Sequence, residues 1–251
     1  MALFKNPHYS HEHSLEVLNL IHGYDSFLDN IRSVADMGCG AGLDVQWWAT
    51  LATRDDPPEP RNYKVYAVDQ VINEIDPDIL ASNKNIIPIL GDFNKRVVPV
   101  PVDLIWSHDS FQYATDPFQC LRNWRETLNV NGMLIMSVPQ TTYLYNNRLI
   151  VANYSHQYYS YNILNLMYML AISGFDCRDA YFYRKENSPW LYAAVYASPH
   201  ETLPPNPTWY DLAERQLIND SVINSVQKYG YARLEDVVVS WFDKNLYQIT
   251  N

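Results

Sequence analysis

Short apolar runs, each closed by a turn-forming or acidic residue, recur along this chain. Residues 33–37, 64–69, 86–90, 102–107 and 133–138 are rich in β-branched, aromatic and aliphatic side chains, and each reads as a strand. Helical patterns lie between them. Residues 43–53 carry Trp47 and Trp48, and the segment opened by Asp116 and Pro117 runs to about residue 128 and stops near Asn131-Gly132. Residues 14–21 form a short amphipathic helix with Leu15, Leu18 and Ile21 facing inward. Residues 55–60, with three prolines and three acids, are an exposed loop. A helix over about 160–173 ends at Gly174. Residues 180–184 and 191–197 are strands whose short polar link makes them an antiparallel pair.

Strands alternating with helices build right-handed βαβ units and a parallel sheet. The expected fold is α/β: a Rossmann-like, mostly parallel seven-stranded sheet ending in an antiparallel hairpin, with helices on both faces. Pro199, Pro204, Pro205 and Pro207 then mark a stiff linker. Two further helices follow, over about 209–228 and 234–247, the second striped by Leu234, Val237, Val238, Trp241 and Phe242. That stripe must bury against the sheet's helices or a second copy of the chain, so a homodimer through the C-terminal helices is one expectation. The organisation is then an N-terminal helical arm (1–32), a central domain (33–198) and a linker with a C-terminal helical extension (199–251).

Composition narrows the function. The 251 residues are 47% apolar and only 18% charged, ample for a packed core. The net charge of -10, with no Lys/Arg run, disfavours nucleic acid as substrate. The N-terminus lacks the apolar stretch of a signal peptide, and no run reaches the length of a membrane span. Cys39, Cys120 and Cys177 are far apart and form no metal-type pair. These features point to a cytoplasmic protein without a metal.

The most informative stretch is Val34-Ala35-Asp36-Met37-Gly38-Cys39-Gly40-Ala41-Gly42. A strand that stops at a glycine-rich turn and feeds a helix brings backbone N–H groups close to a ligand. The spacing is Asp-x-Gly-x-Gly-x-Gly. It departs from the Gly-x-Gly-x-x-Gly of dinucleotide enzymes because residue 43 is Leu. Here the chain resembles the class I S-adenosylmethionine-dependent methyltransferases, small-molecule branch, over about residues 33–198. The resemblance implies S-adenosyl-L-methionine as cofactor, with Asp36, Gly38, Cys39, Gly40 and Gly42 curled around its methionine and ribose parts. Cys39 reads as a small residue tolerated in a crowded turn.

Open α/β sheets bind ligands beyond the carboxyl ends of their strands, and four further positions sit there. Asp69, with Gln70 beside it, ends the second strand, where the resemblance implies contacts to the ribose hydroxyls. Asp92 and Phe93 follow the third, the place of the adenine amino group and ring. Ser107 and His108 follow the fourth, beside the methionine end. The run from Asp103 through Asp116-Pro117 is also similar to this branch, with His108 where Asn is common and Gln112-Tyr113 where His is common.

Methyl transfer mainly requires alignment and exclusion of water, with a base only where the acceptor must lose a proton. His108 is the candidate base, Asp109 its orienter and His156 the second choice. Twenty tyrosines are present, and Tyr113, Tyr143, Tyr154 and Tyr158 are the candidate acceptor wall. An amphipathic interface between a lid and the core explains them equally well. His8, His11 and His13 read as a solvated arm rather than a metal site. The expected activity is methyl transfer to a small molecule. A protein or RNA acceptor is the alternative, as is a non-catalytic cofactor-binding module with a helical docking surface. A nicotinamide oxidoreductase is disfavoured by Leu43 and the terminal hairpin.

Overall fold

The computed structural model describes residues 7–23, 28–145, 148–151, 158–184, 189–199, 203 and 206–230. Helix α1 (Pro7–His22) precedes strand β1 (Ser33–Met37), then come α2 (Leu43–Thr50), β2 (Lys64–Asp69), α3 (Pro77–Ser82), β3 (Ile86–Leu90) and β4 (Val102–His108). The chain continues through α4 (Pro117–Thr127), β5 (Leu128–Pro139), a hairpin of β6 (Thr142–Tyr145) and β7 (Arg148–Val151), and α5 (Ile163–Ile172). It closes with β8 (Phe175–Arg184), β9 (Trp190–Ala197), α6 (Trp209–Glu214) and α7 (Asp220–Tyr229).

Seven strands form one sheet in the order β3-β2-β1-β4-β5-β9-β8. The first five are parallel, and β9 and β8 run antiparallel. The strand order reverses beside β1, so β1 and β4 leave a crevice at their carboxyl ends.

Alternating residues feed two cores. One face carries Val34, Val65, Trp106 and Ile135 under α1, α2 and α3, which contribute Leu18, Trp48 and Ile79. The other carries Ala35, Val68, Ile105 and Leu134 under α4 and α5, through Trp124 and Leu170. Leu212, Val222 and Ile223 of α6 and α7 join this second core, so the described part of the extension packs against the sheet domain itself. The stripe over 234–247 lies outside the described residues.

Several boundaries differ from expectation, each for a local reason. The arm is a longer helix, with Leu18 and Ile21 fully buried and Val17 nearly so. Helix α4 begins as expected, the Asp116 side chain accepting from the Gln119 N–H. It stops at Thr127 because Leu128 already pairs with Val102, and the Asn129 amide donates to Asp103 Oδ1 at 2.7 Å. Helix α5 starts late because the Tyr161 N–H is taken by the Pro139 carbonyl, and Asn162 caps the helix in a reciprocal box with Asn165. The segment 209–228 is two helices. Ile218 bridges Cys177 at the sheet edge, and Asn219 recaps the chain for α7. Helix α3 and the β6–β7 hairpin were not legible beforehand.

Candidate active site

The glycine turn is fixed by three different constraints. Gly38 and Cys39 both donate to the Val68 carbonyl, at 2.8 and 3.1 Å, tying the turn to β2. Gly38, Gly40 and Gly42 all have positive φ, at 89, 51 and 82°. A Cβ at Gly38 would lie 2.3 Å from Ser110 Cβ, and one at Gly42 would lie 2.8 Å from Ile75 Cγ2. At Gly40 nothing lies within 4 Å of that position. Two glycines are therefore needed for packing, and the third leaves open space in front of its backbone.

The carboxylates around this turn differ sharply. Asp36 is buried at 2% exposure, and its Oδ2 has no hydrogen-bond partner. Burial pushes its carboxyl well above the usual range, and the charges of Asp44 and Asp69 push it further. Asp69 accepts from the Gly40 N–H at 2.9 Å and the Val71 N–H at 3.0 Å. Gln70 is exposed and donates to Asp92. Burial alone would raise the Asp92 carboxyl. Two hydrogen bonds from Asn94, at 2.7 and 3.0 Å, with the Lys95 charge and Gln70, bring it below the usual range. Phe93 is 8% exposed and stands 6.1 Å from Trp124, ring to ring, so most of its surface belongs to the core. Burial pushes the Cys39 thiol far up, which leaves no thiolate for nucleophilic chemistry.

At the end of β4, Ser107 is buried and its hydroxyl lies 2.8 Å from Ser110 Oγ, which donates to the Met37 carbonyl. His108 is 7% exposed, with its Nδ1 on the Ser137 hydroxyl. Its ring stacks over Trp106 at 6.2 Å and approaches Trp190 at 5.4 Å. Ser137 is thus the group at His108 Nδ1, the place the sequence reading gave to Asp109. The Asp109 carboxylate accepts from the Gln112 amide at 2.5 Å, in a backbone turn with φ of 52°. Tyr113 and Tyr158 are 38% and 63% exposed, and the Tyr158 N–H donates to the Gln112 carbonyl at 3.0 Å. Tyr154 and His156 lie outside the described residues, and so does the Tyr143 side chain.

One convergence of side chains is not legible in the sequence. Asp44, in the first turn of α2, accepts from Ser14 Oγ at 2.5 Å and Trp106 Nε1 at 3.0 Å, and meets His11 Nδ1 at 2.7 Å. His11 is therefore part of an ordered helix and not of a solvated arm. Burial by itself would raise the Asp44 carboxyl. The bonds from His11, Ser14 and Trp106, with the nearby His108, hold it below the usual range. A lowered carboxyl adds stability above its unfolded value, and loses it as pH falls through the depressed folded value. Asp44→Ala strands the buried Trp106 N–H, so it should cost about 1–2 kcal/mol. Thermal unfolding at neutral pH measures this, and the cost should shrink on acidification. The visible signal was an acid two residues past the last glycine, where a helix N-terminus favours negative charge. Its partners, 30 and 62 residues away, were not visible. Among the described residues no cluster of His, Cys, Asp and Glu is arranged to hold a metal.

Fold and site together define an open α/β domain whose strand-end crevice is lined by acids and a glycine turn. Residues 35–136 match the model of a family described as "Methyltransferase domain". No curated protein matches the chain in sequence. Among solved structures, it is similar to 1,6-didemethyltoxoflavin-N1-methyltransferase from Burkholderia thailandensis. The identity is 15%, over 79% of this chain and 93% of that one, with a TM-score of 0.51. The N-methyltransferase NodS from Bradyrhizobium japonicum WM9 is similar at 14% identity, over 76% of this chain and 87% of that one, with a TM-score of 0.50. At these identities the structures speak to fold. Over residues 35–136 the chain matches a methyltransferase domain, and its fold is the one these two methyltransferases share. Among the described residues no helix is long and apolar enough to cross a membrane.

Proposed function

We propose that this protein methylates a small molecule, with the cofactor held along the carboxyl ends of β1, β2 and β3 and the acceptor beside His108. The observation that carries this reading is the unpartnered, buried Asp36 Oδ2 beside a glycine whose Cβ direction is open. A buried carboxylate without a partner is costly. A cationic ligand set against it relieves that cost, and the open face of Gly40 lets such a ligand reach the backbone.

The residues suit an adenosyl sulfonium. Asp69 already accepts two backbone N–H groups at the β2 end, which aims it toward a pair of ribose hydroxyls. Asp92 and Gln70 stand at the neighbouring strand end, on the adenine side. Bound S-adenosylmethionine supplies a methyl carbon already attached to a good leaving group. The protein's own part is to orient, to exclude water and, for a protonated acceptor, to take a proton. His108 does the last of these. In this role the His108 Nδ1–H donates to the Ser137 hydroxyl, which fixes the ring plane and makes Nε2 the basic position. The net charge of -10 supports a small acceptor over RNA. The apolar stripe of Leu234, Val237, Val238, Trp241 and Phe242, outside the described residues, remains our candidate for a homodimer contact.

Calorimetry tests the cofactor. S-adenosylhomocysteine should bind and NAD should not. Asp69→Ala should weaken S-adenosylhomocysteine about tenfold, the ~1.4 kcal/mol expected of stranded ligand hydroxyls. Binding as tight as the parent's would remove Asp69 from the site. His108→Ala should leave that affinity within about threefold and reduce label transfer to the acceptor by about 100-fold or more. Unchanged transfer would dismiss the base. No transfer by the parent to any small molecule of an extract would favour a binding module or a macromolecular acceptor.

A further inference from the structure

A cavity of about 110 Å³ lies between α1 and the outer strands, away from the glycine turn. Its floor includes Tyr181, Tyr183, Tyr192 and Ala194, and its roof includes Val17 and Leu20 of α1. The tyrosine rings lie nearly parallel to their neighbours. Tyr183 is 5.9 Å from Tyr192 at 24° and 6.1 Å from Tyr181 at 29°.

Strand register joins this cavity to His108. His108 pairs with Ser137, Ser137 with Tyr192, and Tyr192 with Tyr183. Residues paired this way project from one face of the sheet. A single row therefore runs from the candidate base to the cavity floor, with His108 and Tyr192 two strand spacings apart, about 10 Å. The next row, Trp106, Ile135, Ala194 and Tyr181, runs the same way. Trp190, two residues along β9 from Tyr192, brings its ring to 5.4 Å from His108.

The lining also sets the chemistry. Ring faces with an aliphatic roof favour a flat apolar occupant. An apolar cavity of about 150 Å³ is known to take benzene, so the present one, at about 110 Å³, holds no more than a single ring. Among the described residues that line it, Glu16 at the α1 rim is charged and none is cationic. An acid at the rim favours a hydrogen-bond donor on the ring and opposes a carboxylate.

We propose that this cavity is the ring subsite of the methyl acceptor, and that it takes one neutral aromatic ring bearing an O–H or N–H donor. The proposal rests on the methyltransferase reading and on His108 marking the reacting end.

Fluorine NMR of 4-fluorophenol with the full chain, saturated with S-adenosylhomocysteine, tests it. Saturable binding is expected. Ala194→Phe, which fills the cavity from its floor, should weaken it at least tenfold while leaving the S-adenosylhomocysteine affinity unchanged. Val17→Phe fills the same space from the roof and replaces that variant should it fail to fold. The anion 4-fluorobenzoate should bind at least tenfold more weakly than the phenol. Absence of saturable phenol binding, equal binding by the filled variants, or equal binding of the benzoate would each overturn the proposal. A parent that binds neither phenol nor S-adenosylhomocysteine would instead sink the methyltransferase reading beneath it.

Discussion

Gly38→Ala is expected to destabilise the protein by about 2–5 kcal/mol, lowering the melting temperature by roughly 5–15 °C at 2–4 °C per kcal/mol for a chain of this size. Two independent costs add. The backbone sits at φ 89°, where a side chain costs about 1–2 kcal/mol. The new Cβ would also stand 2.3 Å from Ser110 Cβ. That atom cannot rotate away, and Ser110 Oγ is held by the Met37 carbonyl at 2.5 Å. Relieving the overlap means parting the turn from the end of β4, at the usual overpacking cost of about 1–3 kcal/mol. Gly40→Ala is the control. It has the backbone cost at φ 51° but no atom within 4 Å, so it should lose only about 1 kcal/mol of stability. Its added methyl projects into the open space assigned to the cofactor, and S-adenosylhomocysteine affinity should fall clearly. Circular-dichroism melting and calorimetry on both variants separate packing from binding. A Gly38→Ala protein melting within 1–2 °C of the parent would refute the packing argument.

The same contrast explains what could be read from the chain and what could not. Strands β1, β2 and β3 were legible to the residue, because each is a short apolar run bounded by turn chemistry. The start of α4 was legible because Asp116-Pro117 carries both its cap and its first turn. Asp36, Asp69 and Asp92 could be placed at strand ends by the same local rules. Long-range partners were not legible. Nothing near residue 108 announces Ser137, which reaches the imidazole only because β4 and β5 pair in register. Nothing near residue 44 announces Ser14 or Trp106. Helix α1 showed its buried stripe, but not that His11 would turn back onto Asp44. The cavity over β8 and β9 depends on three elements at once, so the tyrosine-rich segment before α5 drew attention that these quieter tyrosines did not.

Asp36→Asn should move stability and binding in opposite directions. In the free protein, burial and two neighbouring acids push the Asp36 carboxyl well up, so its ionised form opposes folding at neutral pH. The sign follows from linkage. Below the raised folded value the native state holds a proton more tightly than the unfolded chain does. Stability from this group therefore rises as pH falls from that value toward the ordinary carboxylate range, and is lost above it. The amide keeps the shape and removes the charge. The free variant should melt about 2–4 °C higher at neutral pH, equivalent to about 1 kcal/mol. Its melting curve should also lose that part of the pH dependence. Binding should suffer, because the carboxylate that opposes folding is the one a cationic cofactor pairs with. S-adenosylmethionine should bind about 10–100-fold more weakly, as expected for a lost charged hydrogen bond of about 1.5–3 kcal/mol. Sinefungin, which keeps a positive charge at the methyl position, should lose affinity alongside it. The uncharged thioether of S-adenosylhomocysteine should lose less. A variant both less stable and equally able to bind all three would mean that Asp36 is a structural acid, and that the cation is held elsewhere. Higher stability with weaker, charge-dependent binding is the signature of a carboxylate kept at a cost to the fold because the ligand needs it.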